Sequence, residues 1–127
     1  MPHAFSFRSV YIYQTYGDAG KGSNLKTRDG KGEVKAAIVG ASGYVGGELL
    51  RLLSAHPSIS VGSLIANSSV GDTLSEHHPH LPEFADRVLQ PLDIDDLATH
   101  QIVFLALPHG ESAAVANQLG DEVIVVD

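Results

Sequence analysis

Gly40-Ala41-Ser42-Gly43-Tyr44-Val45-Gly46 is the stretch on which the fold turns. Just before it, Lys35-Ala36-Ala37-Ile38-Val39 is a short apolar run, the pattern of a strand buried on both faces. Just after it, Tyr44 to Ala55 has helical spacing, with Val45, Leu49, Leu52 and Leu53 expected on the inward face. Pro57 follows His56 and stops that helix. Three glycines at G-x-x-G-x-x-G spacing thus join a strand to a helix. Gly40 lets the chain turn sharply, Gly43 leaves the backbone open to close approach, and Gly46 lets the helix pack tightly.

That setting is the one in which a glycine loop binds the pyrophosphate of a dinucleotide. N–H groups at the helix start, near Gly43, Tyr44 and Val45, would face the phosphates, aided by the helix dipole. The same spacing can also serve as a plain tight turn.

Further along, Ile59-Ser60-Val61-Gly62-Ser63-Leu64-Ile65-Ala66 reads as a second strand, alternating at its start. A polar, His-rich loop runs from Asn67 to Phe84. A short strand is expected over Arg87 to Pro91, and a helical turn over Ile94 to Ala98. Ile102 to Leu107 is a fully apolar strand, Glu111 to Leu119 an Ala-rich helix closed by Gly120, and Val123 to Val126 another buried strand. Strands alternating with helices predict an α/β fold, a Rossmann-type doubly wound parallel sheet over residues 35–127. Residues 1–34 lack a sustained period and read as a disordered extension or a mis-assigned start, with Val34 a possible initiation point.

NAD sites usually place Asp or Glu at the end of the second strand, on the ribose 2′-hydroxyl. Here Ala66-Asn67-Ser68-Ser69 follows, with no acid before Asp72. Hydroxyl and amide donors suit a 2′-phosphate, so NADP(H) is the preferred cofactor.

Composition narrows the partners. The net charge is −7. Arg8, Lys21, Lys26, Arg28 and Lys31 all precede residue 35, which leaves an acidic body poorly matched to nucleic acid or an anionic membrane. No apolar run reaches the roughly 18–20 residues of a membrane span, and the start lacks the apolar core of a secretory signal, so a cytoplasmic location is expected. The absence of cysteine excludes disulfides, thiolate metal sites and a cysteine nucleophile among these residues.

Val39-Gly40-Ala41-Ser42-Gly43-Tyr44-Val45-Gly46-Gly47-Glu48-Leu49-Leu50-Arg51-Leu52-Leu53 resembles the opening of N-acetyl-gamma-glutamyl-phosphate reductases. Glu76-His77-His78-Pro79-His80-Leu81 and Val103-Phe104-Leu105-Ala106-Leu107-Pro108-His109-Gly110 fit the same family, the last most specifically. The resemblance implies reduction of an acyl phosphate to a semialdehyde with NADPH, a step of arginine biosynthesis, through a cysteine thioester and a histidine that handles the proton. It implies that Gly40, Ser42, Gly43, Tyr44, Val45 and Gly46 hold the pyrophosphate. Asn67, Ser68 and Ser69 would lie near the adenosine end, and Leu107, Pro108 and His109 beside the cofactor. The nucleophile and base are expected beyond Asp127, in a second, catalytic domain, so the chain reads as truncated before it and inactive alone. The complete enzyme would act on a small molecule and form a homo-oligomer.

Rival readings are another semialdehyde dehydrogenase, an extended short-chain dehydrogenase or epimerase, and an inert nucleotide-binding module. His77, His78 and His80 have H-x-H spacing but no complete ligand set, so no metal site is expected, only a loop near the substrate entrance. Asp93, Asp95 and Asp96 read as a solvated helix start, Glu111 as a first-turn residue, and Ser112 lacks a His or Asp to activate it.

Overall fold

The computed structural model describes residues 34–108 and 110–127. The expectation for the amino-terminal extension and that for His109 lie outside them. Within them run strand β1 (Val34–Val39), helix α1 (Tyr44–Ser54), β2 (Ile59–Ile65), the short helix α2 (Ile94–Leu97), β3 (Ile102–Leu105), α3 (Glu111–Gln118) and β4 (Ile124–Val126). Single 3-10 turns at Leu74–Glu76 and Pro82–Phe84 punctuate the long β2–α2 connection.

The strands form one sheet in the order β2-β1-β3-β4, every pairing parallel. Successive strand residues feed opposite faces. Ala36, Ile38, Ile102 and Phe104 join Leu49, Leu50 and Leu53 of α1 and the loop residues Leu74, Leu81, Phe84 and Leu89 on one side. Ala37, Val39, Val103 and Leu105 join Leu97 of α2, Val115 of α3 and Leu119 just past its end on the other. Burial on both faces explains why β3 is an unbroken apolar run.

Four details differ from the sequence reading. α1 turns Gly46, Gly47, Leu49, Leu50 and Leu53 inward, while Val45 and Leu52 are exposed at 57% and 41%. The apolar stripe is wider than the buried one, and the two glycines mark the contact side that hydropathy leaves blank. Residues 87–91 form no strand but two isolated bridges, Thr73 with Val88 and Ile65 with Gln90. β3 stops at Leu105, two residues early, as the chain swings away past Ala106. Gly120 is not the left-handed cap of α3; extended Leu119 ends that helix, and Gly120 has no positive φ.

The alternation of β2 fails midway for a physical reason. Ala36 pairs with Val61 but Ile38 pairs with Leu64, so β2 carries an extra residue at Gly62-Ser63, a bulge. Its released backbone groups find side chains: Ser63 N–H donates to His100 Nε2 at 3.1 Å, and Arg87 donates to the Val61 and Gly62 carbonyls.

Candidate functional site

β1 and β3 are neighbours, yet the chain leaves them toward opposite faces of the sheet. This is the switch point at which open α/β sheets hold ligands. The exits nearly touch. Gly40 has φ +91°, and a Cβ there would collide with the Ala106 carbonyl. Gly40 and Ala41 N–H both donate to the Ile65 carbonyl, at 2.9 and 3.0 Å, tying the loop to the end of β2. A Cβ on Gly46 would strike Gly40 O and the Ala41 backbone, so α1 can start directly beneath the loop only with glycine there.

Gly43 is different. Its φ of −84° suits any residue, and a Cβ would meet only Gly40 O, at 3.7 Å. The fold makes no demand for glycine at this position. Gly43 caps α1 without a side-chain hydrogen bond, and the first turn holds no acid, so nothing anionic competes for the helix N-terminus. One expectation needs correction: Gly43 N–H is spent on Gly40 O at 3.2 Å, leaving the free donors elsewhere in the loop.

A cavity of about 700 Å³ opens over this loop. Gly40, Ser42 and Gly43 form one wall, Ala66, Asn67, Ser68 and Val70 another, and Leu107 and Pro108 a third. Loops after three strands, far apart in sequence, thus meet at the carboxyl edge. A second cavity of about 820 Å³ shares Gly43, Leu107 and Pro108 and continues over Tyr44, Val45, Leu52 and Phe104. Of the expected site residues, Tyr44 and Val45 line this second cavity, and Gly46 and Ser69 line neither. Ser69 sits behind the wall, its carbonyl accepting Asp72 N–H at 3.1 Å. Sequence reasoning missed Val70, Pro91 and Leu92, apolar residues lining the first cavity that sit in connections without a periodic signal. It also missed that Glu111 lines this cavity.

Among the described residues no lysine or arginine lines the first cavity, so an anion there would depend on backbone dipoles and on neutral donors such as Ser42, Asn67 and Ser68. No acid stands at the end of β2: the Asp72 carboxylate is engaged by His77 Nε2 at 3.0 Å. The histidine cluster has come apart into different tasks. His77 faces Asp72, whereas His78 is buried, its Nε2 3.0 Å from the Ala41 carbonyl and its ring edge-on to His80. Asp93 caps α2 through Asp95 and Asp96 N–H, as a helix-start acid should. Among the described residues, no helix is long and apolar enough to cross a membrane.

Residues 35–127 match the family described as the semialdehyde dehydrogenase NAD-binding domain. The chain is 60% identical over 94 residues to N-acetyl-gamma-glutamyl-phosphate reductase of Streptomyces avermitilis, and 56% identical over 99 residues to that of Corynebacterium diphtheriae. Each match takes in 74% of this chain and 28% of the relative, so the chain spans little more than a quarter of their length. Among solved structures, aspartate semialdehyde dehydrogenase with NADP from Candida albicans superposes with a TM-score of 0.65 at 26% identity, over 73% of this chain and 28% of that one.

Proposed function

Since the chain belongs to the semialdehyde dehydrogenase NAD-binding family, we propose that it is the NADP-binding part of an N-acetyl-gamma-glutamyl-phosphate reductase. The observation that carries the reading is the cradle at the split between β1 and β3. There Gly43, which the fold does not need as glycine, stands open to the cavity. The substrate assignment rests on the high identity to curated reductases.

Gly40, Ser42 and Gly43 hold the pyrophosphate through the loop backbone and the start of α1, with Tyr44, Val45 and Gly46 shaping that start. Asn67 and Ser68 meet the 2′-phosphate as neutral donors, with Ser69 supporting their turn. No acid directly follows β2 to take a ribose 2′-hydroxyl, and Asp72 faces His77 without lining the cavity, which favours NADP over NAD. Leu107 and Pro108, with His109, flank the nicotinamide end. When bound, NADPH supplies the hydride that takes an acyl group to an aldehyde. Because the chain holds no cysteine, a thiolate that receives the acyl group belongs to residues outside it. The reading carries with it a small-molecule substrate, a cytoplasmic location and a homo-oligomeric complete enzyme.

Thermal unfolding with and without NADPH tests the binding claim. At a hundredfold excess over Kd the ligand adds about 2.7 kcal/mol, which raises the midpoint by roughly 10 °C for a domain of this size. Gly43→Val should abolish the rise while leaving the unliganded midpoint nearly unchanged. An unmoved midpoint in the parent chain, or a normal response in a folded Gly43→Val protein, overturns the assignment. For the substrate, the full-length gene product should reduce N-acetyl-γ-glutamyl phosphate with NADPH in preference to β-aspartyl phosphate.

A further inference from the structure

Gly47 has no evident place in a helix, where an interior glycine costs about 1 kcal/mol relative to alanine. What occupies the space is His78: a Cβ on Gly47 would lie 2.5 Å from its Cε1 and 2.7 Å from its Nδ1. The ring is buried, and Nε2 lies 3.0 Å from the Ala41 carbonyl, 37 residues earlier in the chain. A carbonyl can only accept, so Nε2 carries the proton and donates. His78 is itself anchored, its N–H donating to Leu74 O at 2.8 Å and its carbonyl accepting Leu81 N–H at 3.1 Å. Neither cavity is lined by it.

The bond fixes one peptide plane. A trans peptide points its C=O and the following N–H in opposite directions, and the described residues contain no cis bond. Holding the Ala41 carbonyl inward on His78 therefore turns Ser42 N–H the other way. Ser42 lines the first cavity, and its N–H has no acceptor among the described residues. If the plane turned over, a carbonyl oxygen would replace that donor and oppose a phosphate.

We propose that His78 is the positioning residue of the dinucleotide loop, holding the Ala41–Ser42 peptide so that Ser42 N–H serves the cofactor pyrophosphate. This rests on the reading that the loop binds NADPH. It assigns the His-Pro-His segment to the loop's underside, acting through the backbone and not on the ligand.

The test compares three proteins: the parent chain, His78→Phe, which keeps a ring but no donor, and His78→Gln, whose amide restores one. Calorimetry with NADPH and with adenosine 2′-monophosphate separates the pyrophosphate from the adenosine end. His78→Phe should weaken NADPH about tenfold, the scale of one charge-assisted hydrogen bond, and leave adenosine 2′-monophosphate within about twofold. His78→Gln should recover most of the NADPH affinity. In the parent, the Ser42 amide proton should shift on adding NADPH, and in His78→Phe that shift should shrink. Equal weakening of both ligands would mean general loosening and overturn the proposal, as would unchanged NADPH binding in a folded His78→Phe chain. Failure of the parent itself to bind NADPH would instead remove the cofactor reading, and this one with it.

Discussion

Two buried histidines fill the space left by two glycines, and their surroundings separate what borders an open cavity from what serves the sheet. At the carboxyl end of β1, His78 sits on Gly47 and grips a loop whose outer side is open cavity. At the amino end of β3, His100 sits on Gly62, where a Cβ would meet its ring, and is 1% exposed. Its Nε2 accepts Ser63 N–H at 3.1 Å and its Nδ1 donates to Asp96 O at 3.0 Å, so the ring is neutral with the proton on Nδ1. It completes a β-bulge and lines neither of the two cavities. The same residue pair thus yields a cavity-facing peptide in one place and a closed repair in the other. The difference lies in what the gripped backbone does on its far side.

The comparison breaks most readily at His100. His100→Leu strands the half-buried Ser63 N–H and should cost about 1–2 kcal/mol of unfolding free energy, measured by urea denaturation, with the NADPH affinity unchanged. A large loss of affinity there would mean that the bulge and the glycine loop are one unit, and the contrast with His78 would dissolve. Next is Asp93→Ala. Asp93 caps α2, whose Asp96 carbonyl holds Nδ1 of His100, and losing the cap should cost about 1 kcal/mol. That loss should shrink in a His100→Leu background if cap and ring are coupled, a question for a double-mutant cycle.

The smallest effect is in pH. Burial, aided by Lys35, pushes the His100 pKa below its ordinary 6.5, against opposing contributions from Asp96 and Leu97. The unfolded chain therefore binds the proton more readily. Stability is full above about pH 6.5 and falls as pH drops through the window between the unfolded and folded values. His56, also lowered by burial, adds in the same direction. His100→Leu should flatten part of the slope between pH 7 and pH 5, and an unchanged slope would show that the ring does not report on the bulge.

The sequence disclosed what depends on local pattern. Gly40 to Gly46 between an apolar run and a helical one specified the loop, and the apolar run from Ile102 specified an inner strand. It hid what depends on contacts between distant residues. Nothing local distinguishes His78, which grips Ala41, from His77, which meets Asp72. The bulge at Gly62-Ser63 was invisible because it is defined by register against β1. The inward face of α1 was misjudged because Gly46 and Gly47 carry no hydropathy, although they make its closest approaches. In the candidate site, Asn67, Ser68, Leu107 and Pro108 were legible by position after their strands. Pro91 and Leu92 arrive through a connection whose course only the packed fold determines.

The placing of β1 also has a consequence for synthesis. It is first of the described strands in the chain but occupies the middle of the sheet, and its Lys35 N–H finds Gln101 Oε1 across 66 residues. Among the described residues no hairpin can shelter it in the meantime, since every strand pairing there is parallel. A ribosome adding about 5–20 residues per second needs roughly 3–13 seconds to deliver that partner. For that interval Ala36-Ala37-Ile38-Val39 emerges with one long edge bare, a nascent segment suited to a holding chaperone.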